Sequence, residues 1–236
     1  MTFRHSVLPA IAVSLATTAG ADGFAVDKVY HPYVEAMEQE LEWRVVGQSE
    51  PTPGSPRKQL HRLGYGRALG DRWFGEVYLL AERPPGGGMR VEGYEVEARY
   101  QFTEQGEYWA DWGFLFELEK EHGEDIWEAG GGVLVEKEHG QWSTAANLLL
   151  TAEWGDGIED ELESSLALQS RYRMSPAFEP GLEFHSAQGT RALGPVMVGD
   201  IRLGQRRTLH WELGAFVGLD GETPDYSFRA GLEYGF

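Results

Sequence analysis

The residues of this chain that could do chemistry sit at alternate positions of extended runs. Between Tyr94 and Phe102, Glu95, Glu97, Arg99 and Gln101 alternate with Tyr94, Val96, Ala98, Tyr100 and Phe102. Side chains of a strand point to opposite faces with period two, so the charged set occupies one face. The same alternation puts Glu42 and Arg44, Asp111 and Glu117, Arg171, Glu183, Arg202, Glu212, Arg229 and Glu233 opposite apolar faces. Carboxylates and guanidinium groups so placed support two chemistries. Paired, they make a rigid ionic network. Around water, their acidic excess makes a passage that favours cations or neutral polar solutes.

Other chemistries lack their parts. There is no G-x-S-x-G, no H-E-x-x-H and no cysteine, and strand positions assemble no Ser/His or Asp/His constellation, so no enzyme is expected. The glycines of Gly64–Gly70 miss the G-x-G-x-x-G spacing and open no helix, so no dinucleotide and no other cofactor is expected. His185 two residues from Glu183, and His210 two residues from Glu212, are the metal candidates, with His61 as a third imidazole. Imidazole and carboxylate would suit zinc or copper.

Strands must position these residues. Residues 22–37 do not alternate and contain Pro32, which predicts an irregular lead-in; the alternation runs from 38 to 236. Turn signals divide that span into twelve strands. The connections 48–58, 83–89, 121–124, 155–160, 186–195 and 220–224 are expected on one rim. On the other, 70–72, 103–107, 138–140, 174–177 and 205–207 are expected as the mostly shorter set. Gly194-Pro195 is read as the opening of the tenth strand, and Pro180 sits awkwardly inside the ninth.

The apolar faces decide what surrounds the strands. Trp112, Phe114, Phe116, Trp142, Trp154, Trp211, Phe228 and Phe236 are predicted to face lipid. Trp142 and Trp154 are separated by roughly one membrane thickness at ~3.3 Å per residue. A soluble sandwich would bury the apolar faces and reject unpaired Glu and Arg from its core. The reading is all-β: a transmembrane antiparallel up-and-down β-barrel of about 12 strands, with charged faces inward.

Thirty-eight acidic against twenty basic residues, net −18, argue against a nucleic-acid partner. Residues 1–21 carry a basic start, a short apolar run and an A-x-A site, which predicts a signal peptide cleaved after Ala21.

From Tyr226 the chain alternates Tyr226, Phe228, Ala230, Leu232, Tyr234 and Phe236 with Ser227, Arg229, Gly231, Glu233 and Gly235. This resembles the closing strand of Gram-negative outer-membrane β-barrels, which implies a partnership with outer-membrane lipid and with the barrel-assembly machinery. Leu209–Phe236 further resembles the ends of outer-membrane transporters of the MetA-pathway phenol-degradation type. Val29-Tyr-His-Pro-Tyr-Val-Glu35 with Glu40-Leu-Glu-Trp-Arg44 looks like the opening of related uncharacterised barrels. The resemblance implies fold and location in the outer membrane, and little about substrate. The leading expectation is a narrow passive channel for small polar or cationic solutes. A structural or accessory barrel closed by Glu/Arg pairs and serving an envelope partner stands beside it, and a metal-binding barrel comes third.

Overall fold

A computed structural model describes residues 24–49 and 57–236. The signal peptide read over 1–21 and the proline-rich loop 50–56 lie outside them. After the lead-in come β1 (Gln39–Gln48), β2 (Lys58–Ala68), β3 (Trp73–Arg83), β4 (Arg90–Gln101), β5 (Asp111–Glu121) and β6 (Ile126–His139). They are followed by β7 (Trp142–Gly155), β8 (Glu161–Tyr172), β9 (Glu179–Ala187), β10 (Thr190–Arg202), β11 (Thr208–Gly218) and β12 (Tyr226–Gly235). Each strand pairs antiparallel with the next, and β12 pairs with β1 to close a barrel. Closure leaves no free sheet edge, so every strand finds its ladder partners within the wall. The Phe236 amide donates to Gln39 O at 2.9 Å, fastening the seam at the rim where the strands begin and end. We call this the terminal rim and the opposite one the far rim.

The barrel is polar within and apolar without. Phe114, Phe116, Leu148, Leu150, Leu213 and Phe228 are exposed on the outer wall, whereas Arg44, Glu95, Glu97, Glu183 and Arg229 are buried inside. Water would not tolerate so continuous an apolar exterior, whereas acyl chains do; the fold is a transmembrane β-barrel.

The structure corrects three expectations. The β9–β10 connection is the two-residue turn Gln188-Gly189, not a loop over 186–195, and Gly189 supplies its positive φ of 77°. Pro195 therefore lies inside β10, and the β10–β11 ladder skips Gly194 and Pro195, where the missing N–H cannot bond. Pro180 is accommodated differently: the β8–β9 ladder ends at Arg171 opposite Gly181, leaving Pro180 paired only with β10. Second, the terminal-rim connections are not the shorter set. Residues 102–110 there match 49–57 on the far rim in length. Third, the inner wall is not uniformly charged. Phe74, Leu80, Leu115, Leu134 and Phe216 all point inward and are buried.

Candidate functional site

Of those inward apolar residues, Leu115, Leu134 and Phe216 pack against the lead-in, which threads the lumen from the far rim to the terminal rim. Its sequence suits neither lipid nor bulk water. Ala25, Val26, Val29 and Val34 are buried, yet Asp27, Lys28 and His31 lie between them, and Pro32 prevents a regular strand. Near the far rim, Ala25 and Val26 pack with Ala192, Val196 and Phe216. Further down, Tyr30 packs with Leu115 and Leu134. Pro32 rests on Gly113, where a Cβ would come within 2.9 Å of it. At the terminal rim the chain reverses into β1 through a turn in which the Glu38 amide donates to Glu35 O at 3.1 Å. Met37 occupies the left-handed region there (φ 67°), an unusual conformation for a side chain without a local hydrogen-bonding group.

Polar contacts fix the segment at successive heights. Asp27 meets Arg62 at 2.5 Å and Arg44 at 3.4 Å, while Arg229 donates to its carbonyl. Lys28 bridges Glu42 at 2.7 Å and Glu233 at 2.5 Å. The Tyr30 amide donates to Asn147 Oδ1 at 2.7 Å, Asn147 Nδ2 donates to the Tyr30 carbonyl at 2.9 Å, and the Tyr30 hydroxyl donates to Glu97 at 2.8 Å. His31 Nδ1 lies 2.8 Å from Glu136, which also accepts from Ser143. Lower still, the Tyr33 hydroxyl donates to Asp111 at 2.9 Å and the Val34 amide to Gln101 at 2.8 Å. An irregular backbone inside a barrel must find side-chain partners for its amides and carbonyls, and these contacts supply them.

The wall carries its own network. Arg229 of β12 reaches Glu183 of β9 at 2.8 Å and Glu212 of β11 at 3.0 Å, and Gln169 donates to Glu183 at 2.7 Å. Arg171 faces Glu136 at 3.5 Å and Glu179 at 3.4 Å.

Among the described residues, open space is left toward each rim. The cavity toward the far rim, about 240 Å³, carries Asp27, Glu95, Glu117, Glu119 and Glu128, with Lys28 and Arg62 as cations beside them. Strand register places acids of the wall directly opposite one another, Glu95 against Glu119 and Glu119 against Glu128. The cavity at the terminal rim, about 590 Å³, is lined by Glu35, Glu38, Glu40 and Glu233, with exposed Arg202 and half-buried His210. Burial, and then the neighbouring Glu35, push the Glu38 carboxyl up to about 7, against the pull of Arg99.

Of the charged residues named from the sequence, Glu42, Arg44, Glu95, Glu97, Asp111, Glu183, Glu212 and Arg229 are buried around a polypeptide rather than a clear bore, and Arg202 is exposed. Arg99 stacks over inward-facing Phe74, with its guanidinium carbon 5.0 Å from the ring centroid. The three histidines do not come together. His185 bonds Glu183 at 3.0 Å and lies edge-on to Phe216. His210 bonds Asp200 at 2.8 Å rather than Glu212. His61 sits beside Trp43, whose side chain is exposed on the outer wall. On that wall Trp142, Trp154 and Phe236 are exposed, as are Phe114, Phe116 and Phe228; Trp112 and Trp211 are half-covered. Sequence reasoning missed Asp27, Lys28, Tyr30 and Asn147 as luminal contacts. The available signal was apolar Leu115, Leu134 and Phe216 on otherwise polar faces, which need an apolar partner inside.

No protein-family model matches the chain, and neither does any curated protein. Solved structures do resemble it. The COG4313 outer membrane channel from Pseudomonas putida F1 superposes with a TM-score of 0.58 at 16% identity, over 89% of this chain and 98% of that one. A KdgM porin solved in complex with disordered oligogalacturonate gives 0.57 at 13% identity, over 84% and 99%. The β domain of the Bordetella autotransporter Brka gives 0.51 at 15%, over 85% and 100%. At these identities the likeness is one of fold, and that fold is the outer-membrane type of β-barrel.

Proposed function

We propose that the protein is an outer-membrane channel for small polar or cationic solutes, narrowed by its own N-terminal segment. The observation that carries this reading is the arrangement of the lumen: a separate segment crosses it, with an acidic cavity on either side. Carboxylates lining a low-dielectric passage concentrate cations and repel anions. The apolar wall supports residence in a bilayer, with the terminal rim on the periplasmic side. The alternating closing strand supports recognition by the assembly machinery, and the resemblance of Leu209–Phe236 to phenol-degradation-type transporters supports the Gram-negative outer membrane as the site. Fold alone does not fix a solute.

A second reading, a structural barrel held shut, draws on the contacts that fasten residues 25–34 to β1, β2, β4–β7 and β12. Planar-bilayer recording of the wild type and of a variant lacking residues 24–34 separates the two. Small cation-selective steps that grow on deletion support the channel. Silence in the wild type with conductance only in the deletion variant supports the closed barrel, and silence in both refutes the channel.

A further inference from the structure

We propose that Glu40, Glu42 and Glu76 form a binding site for a hard divalent cation of the calcium or magnesium class, for which the Lys28 ammonium of the luminal segment competes. Each acid contributes a carboxylate oxygen, and the three oxygens lie within 4.8 Å of one another. Oxygens on one coordination sphere of radius about 2.3–2.6 Å are at most roughly 5 Å apart, so a single ion could reach all three. The donors come from neighbouring places in the wall. Glu40 and Glu42 are alternate inward residues of β1, and Glu76 of β3 faces Glu40 across Gly66 of β2. Glycine at position 66 lets the Glu76 stem and the Phe74 ring lie close over β2 beside Glu40, since a Cβ there would come within 2.6 Å of Phe74 and 2.9 Å of Glu76.

A group of acids is common without an ion, and its hydrogen bonding is what distinguishes this one. Glu40 is only 6% exposed, yet among the described residues it makes no hydrogen bond and no ion pair. Lys28 and Arg99 act on it only through space. Glu42, 2% exposed, receives Lys28 at 2.7 Å and Arg44 at 3.3 Å. Glu76, 4% exposed, has Tyr78 as its sole bonded partner among the described residues. The Tyr78 hydroxyl lies 2.7 Å from Glu76 and 3.0 Å from Glu42, but it carries one proton and satisfies one of them at a time. Directly bonded positive charge is thus concentrated on Glu42, while Glu40 and Glu76 meet the Arg99 and Lys28 charges only through space. Buried ionised carboxylates without a partner are costly, and a cation between them removes the deficit.

The donor set selects the ion. Three carboxylates with no imidazole or thiolate suit calcium, magnesium or manganese rather than zinc or copper. Access is available because Glu40 also lines the cavity at the terminal rim. Lys28 holds the luminal segment to Glu42 and Glu233, so an ion that takes Glu42 weakens one of its two attachments.

The test is calorimetric titration of the chelator-stripped, folded barrel in detergent with calcium chloride and, separately, magnesium chloride. The expected result is one saturable site per chain with a dissociation constant of about 0.1–1 mM, the range of extracellular calcium modules. Glu40→Gln and Glu76→Gln should each weaken it by roughly tenfold, since each removes a charged ligand. Lys28→Met, which leaves all three acids intact, should tighten it by a similar factor. Absence of saturable binding to the wild type overturns the proposal. So does a folded Glu40→Gln barrel that titrates like the wild type, or Lys28→Met binding that is unchanged or weaker. Binding is measured without reference to conductance, so the site stands or falls apart from the channel reading.

Discussion

Asn147 grips Tyr30 by both backbone groups: its carboxamide accepts from the Tyr30 amide at 2.7 Å and donates to the Tyr30 carbonyl at 2.9 Å. A wall side chain here does what a neighbouring strand does elsewhere, pairing one residue of an irregular chain as a ladder would. Asn147→Ala removes both bonds and leaves two buried backbone groups unsatisfied, a loss of about 1–3 kcal/mol in the docking of the segment. The expected outcome is an intact barrel with a loosened segment. Amide exchange of residues 24–34 should quicken while exchange in β1–β12 stays slow, and bilayer recordings should show larger or more frequent openings. Unchanged exchange at Tyr30 would mean that the clamp contributes nothing.

Gly113 supplies the seat below that clamp. A Cβ there would lie 2.9 Å from Pro32 and 3.0 Å from the Tyr100 carbonyl, so Gly113→Ala must push the segment, the wall or both. Overpacking of this kind costs about 1–3 kcal/mol. Gly131 is the matched control, since a Cβ there meets nothing closer than 3.7 Å. Comparing the thermal midpoints of heat-modifiable gel mobility should show a drop for Gly113→Ala and none for Gly131→Ala.

The wall of this barrel was legible in the sequence because period-two alternation reports directly which side of a strand meets which medium. Tyr94–Phe102 and Tyr226–Phe236 show it without interruption, and their strands fall where the alternation puts them. The β9–β10 hairpin was misread because proline normally signals a break, and Pro195 breaks only one of its two ladders. The occupant of the lumen was not legible. Residues 24–37 have no period, and whether Asp27 and Lys28 meet water or the inner wall depends on contacts such as Lys28–Glu233, between residues at opposite ends of the chain. The partners of the candidate acids could not be read from strand pattern alone.

Glu183 and Arg229 test how much the wall depends on its own ion pairs. Glu183 is fully buried, and Arg229 is its cationic partner from three strands away in the barrel order. Arg229→Met leaves that carboxylate with Gln169 and His185 alone, and breaking a buried pair from one side typically costs about 3–5 kcal/mol. Arg229→Met combined with Glu183→Gln removes the deeper of the two stranded charges, Glu212 being the other, and should recover part of the loss. Urea unfolding of the detergent-folded barrel, followed by tryptophan fluorescence, gives the comparison. A double variant no more stable than Arg229→Met alone would place the loss in packing against Asp27 and Phe216 instead.

Glu38 gives the terminal mouth a pH dependence whose sign follows from its surroundings. Its carboxyl is raised from an ordinary 4.5 to about 7, chiefly by burial and then by Glu35. A raised acid is favoured in its protonated form by the fold. Its contribution to stability is therefore complete below the unfolded value and is lost as pH climbs through about 7. The same climb adds negative charge where the terminal cavity opens. Cation over anion selectivity, read as the reversal potential in a potassium chloride gradient, should increase between about pH 5.5 and about pH 8, the interval that brackets the shifted carboxyl. Glu38→Gln should flatten that increase while leaving selectivity at the acid end nearly unchanged, because the wild-type carboxyl is already neutral there. An equally steep rise in the Glu38→Gln variant would assign the titration to other acids lining the same mouth.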